Sequence, residues 1–332
     1  MTLGYGRKNE TGTLLDAVQI LREDVLPKIT EEDLRSRMER IERDLFLSRI
    51  LFVKTHEPLI NDIAFKMLRI RSNPLVEMQV VAFPTPPLFF EDNEEKLELA
   101  LKQGAEVVGM LPHHENTYEE GIRSIKIVMD LATRYDKLVD GHVDEIDDPE
   151  SDFAHYMIDE AKKRKWGSKT ALSHITSTHY QGASFFNLVN KLRETEVSIV
   201  VNPETNLYLQ GRYANINIPR GMARVNYLLE HGVNVSLGSD NVSDVVYPLG
   251  TFDMITVMEI CRTAEWNCPL KVVTENGFRT INVNPPVIKE GEKAQLVVLR
   301  HDGSSLHYMP LLVLNGRNYV INNIKPEIST VD

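Results

Sequence analysis

Short, β-branched apolar runs recur along this chain, and a stretch with helical periodicity follows each of them. The runs cover residues 50–53, 78–83, 107–111, 138–140, 170–172, 198–201 and 234–237. Several lack strict apolar–polar alternation, as strands buried on both faces of a parallel sheet do. Between them, residues 122–132 (IRSIKIVMDLA) place apolar side chains three and four apart. Residues 153–163, 185–192 and 225–231 read the same way, and His231-Gly232 reads as a helix stop before a strand. Such alternation is the signature of α/β architecture. It gives about seven strand–helix units at the spacing of a (β/α)8 TIM barrel, which needs eight strands to close. Residues 13–47 look helical throughout, and residues 1–12 are polar and glycine-rich with no strand pattern. The strand expected to be missing is therefore the first, and residues 50–53 are predicted to open the barrel. An unfinished barrel has two unpaired strand edges, which invite pairing and favour a homo-oligomer.

From about residue 284 the character changes. Residues 294–299, 309–314 and 318–322 read as three short strands, with turns at Asp302-Gly303 and Asn315-Gly316. The predicted organisation is a barrel over residues 1–283 and a small β-sandwich remnant over 284–332. Composition narrows the function classes. The chain has 332 residues, 37 Lys+Arg against 48 Asp+Glu, and a net charge of −11. With no dense basic cluster, that balance argues against nucleic acid as a partner. Two cysteines are too few for a disulfide scaffold, so reduced thiols and a cytoplasmic location are expected. No apolar run approaches the ~18 residues of a membrane span, and no signal-peptide pattern opens the chain.

In barrels of this kind reactive side chains sit at the C-terminal ends of the strands. His142 and Glu145 follow the run at 138–140, His174 follows 170–172, and Asp240 follows 234–237. Lys54, His56 and Glu57 follow 50–53, and His113, His114 and Glu115 follow 107–111. Neutral imidazoles with carboxylates form the ligand set of a divalent zinc or iron ion. A lone strand-end histidine is more often a hydrogen-bonded structural residue, and a lone Asp after Gly-Ser is more often a turn residue or helix cap. Convergence on one barrel mouth favours the functional reading for His142, His174 and Asp240. For His56 and the 113–115 group the two readings stand level. His155, His179, His231, His301 and His307 are read as structural or solvated.

At these residues the chain resembles bacterial cytosine deaminase and its relatives in the amidohydrolase superfamily. The segments are VDGHVDEIDDPESDF (139–153), ALSHITS (171–177), NPETNLYLQGR (202–212) and GVNVSLGSDNVSDVVYPLGT (232–251). VVAFP (80–84), GAEVVGMLPHHE (104–115) and EGEKAQLVVL (290–299) also match, in order. The resemblance implies a distorted barrel, a flanking β-sandwich and one divalent metal ion. It implies His142 and Asp240 as metal ligands, with His174 as a possible third. It implies Glu145 as the carrier of protons to the substrate ring, His174 beside the attacking water, and Asp240 as acceptor of the water's proton. The family's strand-1 His-x-His pair is absent from this sequence. Its substrate-gripping residues also differ. Thr85 stands in place of a glutamine, Asn241 in place of a second acid, Val246 in place of a tryptophan, and Ser239 in place of a histidine. The implied function is hydrolysis of a non-peptide C–N bond, a deamination, in a small heterocycle: a cytosine-like cyclic amidine, a triazine or a cyclic amide. The alternative is a truncated, catalytically incompetent chain that binds a ligand or partner without turnover.

Overall fold

The computed structural model describes residues 8–71, 75–292, 295–301, 306–314, 317–321 and 328–331. Its centre is a sheet of seven parallel strands in sequential order: β1 (Phe52–Pro58), β2 (Glu77–Phe83), β3 (Val107–Met110), β4 (Leu138–Val143), β5 (Thr170–His174), β6 (Ser198–Val201) and β7 (Val235–Leu237). β1 and β7 are its edges, so the sheet curls as an incomplete barrel. Among the described residues no strand precedes β1. The expected helical stretch is present as Leu14–Ile20, a turn of π-helix, a turn of 3-10 helix, and Glu31–Leu47. Thr30 begins the longer helix, its hydroxyl accepting from the Asp33 N–H at 3.1 Å, and Glu31, Glu32 and Asp33 fill the first turn. Both features favour a helix N-terminus.

The first strand corrects the sequence reading. It runs from 52 to 58 and not from 50 to 53. Parallel pairing with β2 holds from Phe52 opposite Glu77 to Pro58 opposite Phe83, and carries the strand on through Lys54, His56 and Glu57. β4 and β5 likewise extend past their apolar runs, so His142 and His174 lie on the strands themselves. Because side chains alternate along a strand, Lys54 and His56 share one face of β1, and Asp140 and His142 share one face of β4.

The main core lies between the sheet and its outer helices, with Ile125, Met129, Met157, Phe185 and Leu188 fully buried. A second cluster packs Ala17, Ile20, Leu34 and Met38 against Ile63, Met67 and Val80, which ties the N-terminal helices to the β1–β2 side. A separate antiparallel sheet joins four strands: β8 (Gln295–His301), β9 (Leu306–Leu314), β10 (Arg317–Ile321) and β11 (Ile328–Val331). The sequence suggested three. The fourth, ISTV, is too short and polar to announce itself. Both expected turns, at 302–303 and 315–316, lie outside the described residues. The proposed boundary at residue 284 falls between the helix ending at Thr280 and β8. No helix among the described residues is long and apolar enough to cross a membrane. Cys261 and Cys268 are buried free thiols.

Candidate active site

A cavity of about 930 Å³ opens where the sheet does not close. His142, Glu145, His174 and Asp240 all line it, as do Lys54, His56, His114 and Asp140. The backbone is bent to reach this arrangement. Asp144, His174 and Asp240 adopt positive φ values of 53°, 75° and 56°. Non-glycine residues held in that region cost energy and cluster at functional sites.

β4 supplies two groups with different fates. Asp140 is fully buried, paired with the Lys54 ammonium, and accepts a hydrogen bond from the Ser173 hydroxyl at 2.6 Å. His56 Nε2 lies 3.5 Å from its carboxylate. Burial alone would raise the Asp140 pKa, but the Lys54 charge and His56 more than offset it and hold this acid well below the usual range. His142, two residues on, is a neutral imidazole whose pKa burial pushes well below the ordinary value. Its ring centre is 4.4 Å from that of His174 and 4.6 Å from that of His56.

The acidic run after β4 splits by position. Asp144 accepts from the Ser151 hydroxyl at 2.7 Å and from the Phe153 and Ala154 N–H groups at 3.0 and 2.9 Å, so it starts the next helix. Glu145 enters the cavity. Its two oxygens lie 3.2 Å from His174 Nδ1 and 3.9 Å from His142 Nδ1. Burial, then the nearby Asp240, push its pKa well above the carboxylate range. Asp240 is itself raised to about 6, chiefly by burial. His174 is lowered to about 3, again chiefly by burial, and sits 2.9 Å from Asn206 Nδ2 and 3.2 Å from Asn202 Nδ2.

Of the acids that line the cavity, Asp140 is already claimed by the Lys54 ammonium. Glu145 and Asp240 repel each other across neutral imidazoles. That donor set fits a divalent ion. The nitrogens of His142 and His174 and a Glu145 oxygen lie within 4.8 Å of one another. Ligand atoms about 2.0–2.2 Å from a tetrahedral zinc stand about 3.3–3.6 Å apart, and the Glu145 contacts to His174 and His142, at 3.2 and 3.9 Å, lie on either side of that range. Asp240 lines the same cavity without joining this trio, so the observed grouping differs from the expected His142–Asp240 pair.

Thr85, Asn241 and Val246, the expected substrate contacts, also line the cavity. The Thr85 hydroxyl oxygen is buried with no hydrogen-bond partner. Asn241 donates to Asp244 at 2.7 Å, and the Asp244 carboxylate also accepts from the Val246 and Tyr247 N–H groups. The 113–115 group divides: His114 lines the cavity, both His113 ring nitrogens are buried without a partner, and Glu115 binds backbone. Among the histidines read as structural, His155 meets the Ser184 hydroxyl at 3.0 Å, and His231 stacks on Tyr227 with ring centres 4.0 Å apart. The side chains of His301 and His307 lie outside the described residues. Asp140, Asn202 and Asn206 were not singled out from sequence, and Lys54 was noted after the first run but given no role. The two-residue spacing Lys54–His56 and Asp140–His142 is the signal that finds Lys54 and Asp140, once the strands are known to run on.

With this geometry in view, the likeness to solved structures is specific. A 5-methylcytosine deaminase from Klebsiella pneumoniae liganded with 5-fluorocytosine superposes with a TM-score of 0.87 at 27% identity, over 98% of this chain and 83% of that one. A 5-methylcytosine deaminase from the same organism liganded with phosphonocytosine gives 0.82 at 30% identity, over 88% and 75%. The pterin deaminase of Rhizobium rhizogenes is 25% identical over 304 residues, 85% of this chain and 65% of that protein. A 5-methylthioadenosine/S-adenosylhomocysteine deaminase of Thermococcus sibiricus is 28% identical over 153 residues, 42% of this chain and 32% of that protein. The chain therefore spans less than two thirds of the length of these curated relatives. Residues 50–316 match the amidohydrolase family, a span that takes in all seven parallel strands and every cavity residue named above. With well over half of its length inside that match, the chain belongs to the amidohydrolase family.

Proposed function

We propose that this chain is a metal-dependent hydrolase of non-peptide C–N bonds, a deaminase acting on a small cyclic amidine or amide. The observation that supports it most is the meeting of His142 and His174 with Glu145, whose pKa burial pushes up, and with Asp240 in one cavity of ligand size. His142 and Asp240 would hold the divalent ion, with His174 as third donor; zinc and iron(II) both suit this set. The ion supplies water acidic enough to act as a nucleophile near neutral pH. The heterocycle lies between the apolar walls made by Phe83, Pro86, Leu111 and Val246, with Thr85 and Asn241 reading its polar edge. Water adds to the amidine carbon as Asp240 takes its proton. Glu145 delivers its own proton to the ring nitrogen and then passes the proton from Asp240 to the departing amine, which leaves as ammonia; the added hydroxyl gives its remaining proton back to Glu145 as the carbonyl forms, so both acids end as they began. His174 steadies the developing negative charge.

Zinc should stabilise this protein in a pH-dependent way. A carboxyl whose folded pKa is raised stabilises the fold most below its unfolded value, ~3.9 for Asp. That contribution is lost as pH rises through the folded value, about 6 for Asp240. Protons and the ion compete for the same oxygens, so zinc should raise the thermal midpoint little at about pH 5 and much more above pH 7. An equal upshift at both pH values would remove Asp240 from the metal site.

The unpaired β1 and β7 edges favour a second reading, in which the chain as given holds metal weakly and releases ammonia slowly or not at all. Metal content and ammonia release, on cytosine-like and triazine substrates, separate the two readings. They should be measured on this chain and on one extended upstream by a strand carrying His-x-His. Stoichiometric metal and full turnover only in the extended chain support the family reaction with an incomplete site here. Full activity in the 332-residue chain shows that its own residues complete the site.

A further inference from the structure

The wall of the cavity beyond β2 is a loop, residues 84–90 (PTPPLFF), with three prolines in its first four positions. Proline has no N–H, so this loop has few donors with which to hold itself. Thr85 N–H donates to Phe83 O at 2.9 Å and Phe90 N–H to Pro87 O at 3.1 Å. The other two donors leave the loop for one side chain. Leu88 N–H donates to Glu115 Oε1 at 2.9 Å and Phe89 N–H to Glu115 Oε2 at 3.3 Å. From the opposite side, the buried Asn93 amide donates to the Pro86 and Pro87 carbonyls at 2.6 and 3.0 Å. Leu88 is buried, and the Arg123 guanidinium lies 3.9 Å over the Phe89 ring. Thr85, Pro86 and Pro87 line the cavity, whereas Glu115 and Asn93 do not.

We propose that Glu115 is a positioning residue: with Asn93 it clamps the 84–90 loop, and so sets where the partnerless Thr85 hydroxyl meets the substrate. Glu115 follows the turn Pro112–His114, whose His114 is in the cavity wall, so one carboxylate couples the loops after β2 and β3. Burial raises its pKa to about 7, consistent with a group committed to the protein interior. The functional half of this inference rests on the deaminase reading; the clamp itself does not.

The test uses the full chain and hydrogen–deuterium exchange without substrate. Glu115→Ala should speed exchange of the Leu88 and Phe89 amides by at least about tenfold, since both lose their only acceptor. The amides of β3 should be unchanged. Glu115→Gln keeps one of the two acceptors and should restore protection at one of the two amides only. Asn93→Ala should loosen the same loop from its other side. On the zinc-loaded protein, Glu115→Ala should weaken binding of 5-fluorocytosine, or raise KM for any substrate turned over, by roughly tenfold, with kcat within about threefold of the parent. Unchanged exchange in Glu115→Ala overturns the clamp whatever the substrate is. Faster exchange with unaltered binding and KM overturns the positioning role. A parent chain with protected amides that neither binds the probe nor releases ammonia supports the clamp and counts against the deaminase reading instead.

Discussion

Glu145→Gln is expected to cut ammonia release by roughly 10²–10⁴-fold, the range for loss of a general acid–base group, and to leave metal content unchanged. The replacement is nearly isosteric and keeps an oxygen in the cavity, but its amide has no acidic proton to give up and take back near neutral pH. Glu145 is suited to proton traffic because it is 6% exposed and faces Asp240, two conditions that both disfavour its charged form. The same residue stands within donor distance of His142 and His174, so the structure allows another role, that of a ligand. The two roles part under this substitution. A proton carrier loses turnover and keeps its metal; a ligand loses both. Metal analysis of Glu145→Gln beside the parent decides, and a fall in metal parallel to the fall in activity would defeat the assignment made here. His142→Ala supplies the control, since it should lose metal on either account.

The sequence carried the order of the parallel sheet well and its ends poorly. Apolar runs mark where a strand is covered on both faces, and all seven were visible for that reason. Pairing, not hydrophobicity, sets where a strand stops. β1 continues through Lys54 and His56 because β2 lies alongside, and no property of KTHEP alone says so. The error matters because the polar continuation is the functional part. Treated as a loop after the strand, Lys54 looks like a solvated lysine. Placed on the strand two residues before His56, it is aimed at Asp140 on β4, a contact between segments far apart in sequence.

The acidic run after β4 shows a second limit. Composition treats Asp144, Glu145, Asp147 and Asp148 alike. In the fold, Asp144 caps a helix, Asp147 accepts from the Tyr180 hydroxyl and the Gly211 N–H, Asp148 accepts from the Glu150 N–H, and Glu145 alone enters the cavity. Resemblance singled out Glu145, which lines the cavity, where composition alone does not separate it from its acidic neighbours. Neither pattern nor resemblance revealed Asn202 and Asn206 against His174, because their roles depend on how the helix Pro203–Leu209 packs after β6.

Lys54→Met should destabilise the fold by about 3–5 kcal/mol, the usual cost of leaving one partner of a buried ion pair without the other. Asp140 has no exposure at all, so its carboxylate cannot turn to water when the ammonium is gone. The Ser173 hydroxyl and His56 remain, but neither supplies a fixed positive charge. The double variant Lys54→Met with Asp140→Asn removes both charges and should recover most of the loss. Urea unfolding of the parent, both single variants and the double variant closes the cycle. A single Lys54→Met variant within about 1 kcal/mol of the parent would mean that Asp140 is neutral or hydrated, against its depressed pKa. The pair also bears on metal binding. Because Asp140 is paired with Lys54 inside the protein, its carboxylate is not free for a divalent ion, and the acids left facing one are Glu145 and Asp240. That explains why an acid two residues from His142 stays outside the donor trio.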